Sequence, residues 1–204
     1  MKPCMHAVVA ASILLSLSGC AHAAPKPDPA AVQPATNEAR PLSGTDAQAL
    51  ADFNQRVGAY AELHRKLEAT LPPKPEETSP GIIHKHQMAL GDLIVQARKD
   101  AKAGDILTPA TQQVFRQLLA RVFRGQAGAE LKAAILDENP GKVGLTVNGR
   151  YPDQIPLSTV PPQVLSALPK LPQDLEYRFI GERLILLDVH AHTIADYMDK
   201  VFPV

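Results

Sequence analysis

The sequence contains no tryptophan, nine phenylalanines and tyrosines together, and only two cysteines in 204 residues. Both cysteines, Cys4 and Cys20, stand within the first twenty positions. The rest of the chain therefore has no thiol pair to oxidise, which excludes a disulfide framework. Charge of one sign is missing as well, since 21 Lys+Arg face 21 Asp+Glu. A nucleic-acid partner calls for a basic excess and an acidic disordered tail for the reverse, so neither class fits. No G-x-S-x-G, H-E-x-x-H, Walker A, G-x-G-x-x-G or C-x-x-C motif occurs, and the common hydrolase, protease and nucleotide signatures are absent. What the chain does have is 45% apolar residues, enough for a core, and 19 prolines that punctuate it into segments.

Met1 to Cys20 reads as an export signal: Lys2, an apolar run from Ala7 to Leu17, then Leu17-Ser18-Gly19-Cys20. The run is too short to cross a hydrocarbon core of about 30 Å as a permanent helix, which favours cleavage over anchoring by the segment itself. The ending resembles the bacterial lipobox, which implies that residues 1–19 are removed and that Cys20 becomes a lipid-modified N-terminus. Ala21 after that cysteine points to the outer membrane, facing the periplasm. The alternative is an A-x-A site, Ala21-His22-Ala23, cut before Ala24 to release a soluble periplasmic protein. Loss of residues 1–19 removes Lys2 alone among the charges, leaving the mature chain near neutrality.

Residues 20–44 form a Pro/Ala-rich tether with no apolar periodicity, unable to bury enough surface to offset the entropy of ordering. A helical region is expected over 45–138. Thr45-Asp46-Ala47-Gln48 has the form of a capping box, and Leu50, Phe53, Val57, Tyr60, Leu63, Leu67 and Leu71 follow at three- and four-residue steps until Pro72-Pro73. An acidic proline-rich loop, 72–79, leads to Ser79-Pro80, which caps a second helix with the stripe Ile82, Ile83, Leu90, Leu93, Ile94 and Ala97. The two helices make an antiparallel hairpin. Thr108-Pro109 opens a third helix that Gly125 and Gly128 interrupt before Ala129 to Leu136 resumes, and Asn139-Pro140-Gly141 is a turn signal.

Residues 139–204 are expected to form a small antiparallel sheet packed on the helices. Val143 to Val147 reads as a short strand, Asn148-Gly149 as a tight turn, and Val160 to Leu168 as a short helix capped by Ser158 or Thr159. The runs from Leu175 to Ile180 and from Arg183 to Val189 flank Gly181-Glu182, a two-residue loop with glycine first, as a type II′ turn requires. Thr193 to Met198 supplies a third strand after a turn at His190-Ala191-His192. Tyr177, Phe179, Tyr197 and Phe202 read as core of this sheet. The fold class is thus α+β, a helical hairpin and further helices followed by a β-meander.

Among side chains with chemistry, histidine stands out. His64 falls on the apolar stripe between Tyr60 and Leu67, and His86 on the next between Ile82 and Leu90. They lie at nearly equal distance from the hairpin loop, so the two imidazoles are expected at similar height on facing helices, where they can share a hydrogen bond or ligate a divalent metal. His190 and His192 form a second candidate pair, because residues two apart in extended backbone project to one face, and Asp188 and Asp196 flank them as candidate orienting groups. The competing reading pairs His64 and His86 with backbone or carboxylates and makes His190 and His192 turn residues. Asp137-Glu138 and Glu76-Glu77 adjoin turns, where solvated charge is the ordinary explanation, and no catalytic residue and no cofactor are implied.

The run LPKLPQDLEYRFIGERLILLDVHAHTIADYMDKVFP, Leu168 to Pro203, resembles the C-terminal segment of a set of exported bacterial proteins that end in an LPxLPxxLEYRFxG hairpin. The likeness extends back through Asn148 to Pro152. It implies a family and no reaction. Over about 25 residues the hairpin and the Asp-containing strand after it are also similar to small periplasmic proteins of nickel and cobalt homeostasis. The reading as a whole is a lipid-anchored cell-envelope protein, a non-enzymatic binding or scaffolding module for an unidentified envelope protein or ligand. Its alternative is a periplasmic metal-binding protein using His64, His86, His190 and His192.

Overall fold

In the computed structural model, which describes residues 43–73, 79–138 and 143–203, the chain enters its first helix at Ser43. Residues 1–42, which include the signal, Cys20 and nearly all of the tether, lie outside the described residues, as do Glu76, Glu77 and the Asn139-Pro140-Gly141 signal. Contacts divide the chain after Arg40, and every described residue belongs to the second unit. No helix among the described residues is long and apolar enough to cross a membrane.

Helix α1, Gly44–Glu68, has its N-cap at Ser43, two residues before the expected cap at Thr45. The Ser43 hydroxyl accepts the Asp46 amide at 3.2 Å and the Asp46 carboxylate accepts the Ser43 amide at 3.2 Å, so an aspartate closes the box in place of the expected glutamine. Its buried face runs through Phe53, Val57, Tyr60, Ala61 and His64. Helix α2, Pro80–Ala97, has Ser79 as N-cap but without a side-chain bond, and buries only Leu90, Gly91 and Ile94. Ile82 and Ile83, expected in its buried stripe, are instead exposed at 38% and 43%, since the helix packs against the body only over its later turns.

Thr108 caps α3, Pro109–Val122, by accepting the Thr111 amide. The interruption after it is short: α4, Gly125–Glu138, begins at the first of the two glycines expected to break the helix. Gly128 lies so close to the preceding chain that a Cβ there would stand 2.2 Å from the Phe123 carbonyl carbon. The expected short helix after residue 160 is α5, Pro162–Ala167, capped by Pro161 rather than by Ser158 or Thr159.

Three antiparallel strands, β1 (Leu175–Ile180), β2 (Arg183–Asp188) and β3 (Thr193–Met198), form one sheet in the order β1-β2-β3, so the α+β class and the meander hold. Ile180 pairs with Arg183 across the two-residue loop, and Gly181 has φ +56°, the left-handed conformation expected of it. A bulge in β3 puts Leu186 opposite Asp196 and Leu187 opposite Ile194. Residues 143–147 are not a strand. The Gly149 amide bonds the Thr146 carbonyl at 3.0 Å with Asn148 at φ +61°, a turn that leaves only 148–151 to run along the β3 edge.

The alternation of β2 decides where function can sit. Leu184 and Leu186 face the helices with Tyr177 and Phe179, joining Phe53, Tyr60, Phe115 and Phe202 in the main core. Ile185 and Leu187 turn to the opposite face with Ile180, Ile194 and Tyr151, where half-buried Tyr197 packs too. Asp188 is next in the helix-facing register, so a carboxylate is carried to α1 by the same period that buries two leucines.

Candidate metal centre at the α1, α2 and β2–β3 junction

His64 is fully buried on α1, one turn after Tyr60. Its Nδ1 lies 2.6 Å from Asp188 Oδ2, which also accepts the Tyr60 hydroxyl at 2.9 Å. The other oxygen, Asp188 Oδ1, accepts the amides of His190 at 3.1 Å and Ala191 at 2.8 Å. With four donors the buried carboxylate is satisfied, and it accepts the hydrogen bond of His64 Nδ1–H, leaving Nε2 as the outward nitrogen.

That nitrogen faces anions. Glu68, one turn further along α1, places Oε2 3.3 Å from His64 Nε2, and Asp174 Oδ1 stands 3.9 Å away. The same Glu68 oxygen lies 3.1 Å from His190 Nδ1, while Oε1 lies 3.1 Å from His86 Nε2. The His64 and His190 rings are 5.3 Å apart between centroids. One carboxylate is therefore ringed by three imidazoles drawn from α1, α2 and the turn 189–192.

Electrostatics follow from this geometry. Burial would raise the Glu68 carboxyl, but hydrogen bonds from His190 and His86, with the nearby charge of His190 and His64, outweigh it and hold the group at about 2. Burial likewise disfavours a charged His64, and the bond and charge of Asp188, then Asp174 and Glu68, reverse that and raise it above the usual imidazole value. Burial and the Asp188 carboxylate push the Tyr60 hydroxyl well up. A positive charge is favoured between His64 Nε2 and Glu68, whether a proton on the nitrogen or a cation bound by both.

One nitrogen of His64, one of His190 and a Glu68 oxygen all lie within 4.8 Å of one another. Around an ion with bonds of about 2.0–2.1 Å, tetrahedral ligand atoms sit roughly 3.3 Å apart. The observed separations of 3.3 Å and 3.1 Å from Glu68 Oε2 already match that edge. Two imidazoles and one carboxylate suit zinc, cobalt, nickel or copper rather than calcium or magnesium, which take oxygen shells.

The histidines regroup relative to the expectation. His86 meets Glu68, one turn along α1 from His64, so the two helices are bridged by a carboxylate that each imidazole contacts. His190 and His192 do not share a face: the turn 189–192 is not extended, His192 has φ +54°, and its ring packs on Tyr151 with centroids 5.4 Å apart. Of the flanking aspartates, Asp188 orients His64, whereas Asp196 is buried elsewhere, accepting the amides of Gly104, Ile106 and Leu107. Sequence patterns do not single out Glu68 and Asp174. The readable signal for Glu68 is its four-residue spacing from His64, which puts both on one helix face.

No family model, curated protein or solved structure matches this chain. Function must be read from the site.

Proposed function

We propose that this chain is an exported, lipid-anchored cell-envelope protein whose folded unit is a non-enzymatic binding module for a divalent transition-metal ion. The single observation that carries the metal reading is the convergence of His64, Glu68 and His190 to within 4.8 Å, each able to offer one ligand atom. Asp188 supports it by holding His64 Nδ1, the carboxylate–histidine arrangement that fixes the tautomer and orientation of a metal ligand. The anchoring half rests on Leu17-Ser18-Gly19-Cys20 and on the Pro/Ala-rich stretch between Cys20 and the Ser43 cap. A tethered module with a half-buried metal site suits capture or buffering of metal in the periplasm.

Titration of zinc, nickel and copper into the metal-free mature protein tests the reading. An ion at a hundredfold its Kd stabilises the native state by about 2.7 kcal/mol, so the melting temperature should rise by several degrees at one equivalent bound. The rise should vanish in His64→Ala and in His190→Ala and persist in His192→Ala. If no ion moves the wild-type melt at neutral pH, or the shift survives in both the His64 and His190 variants, the metal reading is wrong and the module binds something else.

A further inference from the structure

His86 differs from the other members of the cluster in how it is carried. On α2 it stands one turn before Leu90 and two before Ile94, both buried, so it is the outermost residue of the seam along which that helix packs. The residues before it, Pro80 to Lys85, are all exposed. An imidazole whose side chain is only 10% exposed thus occupies a seam position while Ile82 and Ile83 face solvent. Apolar burial alone would place an aliphatic side chain there; a polar ring held inward by a carboxylate requires a partner that offsets its desolvation.

The partner in place is Glu68 Oε1 at 3.1 Å. His64 and His190 meet the other oxygen of the same carboxylate. A third nitrogen therefore stands on the other oxygen of that carboxylate, outside the three atoms that already lie within 4.8 Å of one another and on a third structural element, so that Glu68 and His86 must draw together to share an ion. We propose that His86 is the fourth ligand, so that His64 Nε2, His86 Nε2, His190 Nδ1 and Glu68 enclose a four-coordinate ion of the zinc class and fix the first half of α2 to α1 and to the β2–β3 turn. On binding, each imidazole exchanges its hydrogen bond to Glu68 for a bond from its lone pair to the ion, and any proton on that nitrogen leaves to solvent. Four protein ligands with no open position are the mark of a structural or storage site rather than a catalytic one. This inference rests on the metal-binding reading above and adds to it the coordination number and the element the ion secures.

Cobalt(II) is the probe, because its visible absorption is intense when four-coordinate and weak when six-coordinate. Titrated into the mature wild-type protein, it should give the intense bands at one equivalent and slow amide exchange across residues 80–88. In His86→Ala the stoichiometry should remain one, affinity should fall on the order of tenfold or more, the bands should weaken, and exchange over 80–88 should no longer respond. His86→Gln keeps a hydrogen-bonding group beside Glu68 but offers no imidazole, and it should behave as His86→Ala does. Unchanged affinity and spectrum in both His86 variants, or exchange over 80–88 that ignores the ion in wild type, would show that His86 is no ligand while leaving the three-residue site intact. Absence of cobalt and zinc binding by the wild type would remove both readings together.

Discussion

Single residues here are decided by what lies within a few ångströms. Gly128 is the sharpest steric case: an added Cβ would meet Phe123 at 2.2 Å from its carbonyl carbon, 2.6 Å from its oxygen and 2.7 Å from its Cα. These are backbone atoms, which cannot swing aside as a side-chain end would. Gly128→Ala should therefore cost about 2–3 kcal/mol, the scale of overpacking a tight site, whereas Gly144→Ala, with nothing within 4 Å, should be close to neutral. Paired denaturation curves of the two variants check this, and equal midpoints would mean that α3 and α4 do not approach as described. The same locality explains why the histidines are visible in the sequence and their grouping is not. His64 betrays itself by breaking an apolar stripe, but nothing local distinguishes Glu68 from any other helix carboxylate.

At the scale of elements, turn chemistry and buried carboxylates hold the sheet in place. Gly181 at φ +56° sits where a side chain is poorly accommodated, so Gly181→Val should destabilise by about 1 kcal/mol or more. An unaltered melting temperature in that variant would contradict the hairpin register. Asp196 acts over a longer distance. Its carboxylate accepts the amides of Gly104 at 3.0 Å and of Ile106 and Leu107 at 2.8 Å, tying the loop before α3 to β3. Asp196→Ala leaves those buried donors without their acceptor, and a loss of about 3 kcal/mol is expected, with the amides of residues 104–107 exchanging faster than those of β1. Uniform acceleration across the sheet instead would indicate a general loss of packing rather than a broken tie. Periodicity revealed the helices and the meander because a buried face must repeat. It overstated α2, where Ile82 and Ile83 follow the period yet no surface lies opposite to receive them, and it turned 143–147 into a strand whose pairing a turn at Asn148 prevents.

For the whole molecule, the anchoring reading stands on the first twenty residues and the folded unit on those after Ser43. Cys20→Ser should abolish labelling by a fatty-acid probe and shift the protein out of the membrane fraction, or leave it as an uncleaved precursor. Label retained on that variant, or a wild-type N-terminus at Ala24, would replace the lipid anchor with ordinary export. The substitution should leave the melting temperature of the folded unit unchanged, since the α1 cap is closed by Ser43 and Asp46 themselves.

The helices, the three-strand meander and the Gly181 turn were determined by the sequence itself, because each depends on neighbours within a few positions: a period of burial, a cap, a residue tolerant of positive φ. The site needed the tertiary structure. His64 and Asp188 are 124 positions apart, and Glu68 and His190 122, so their meeting depends on which face β2 turns toward α1 and on the four-residue turn that sends His190 one way and His192 the other. A one-residue change in register would have turned Asp188 away from the helices, with every local signal in the sequence unchanged.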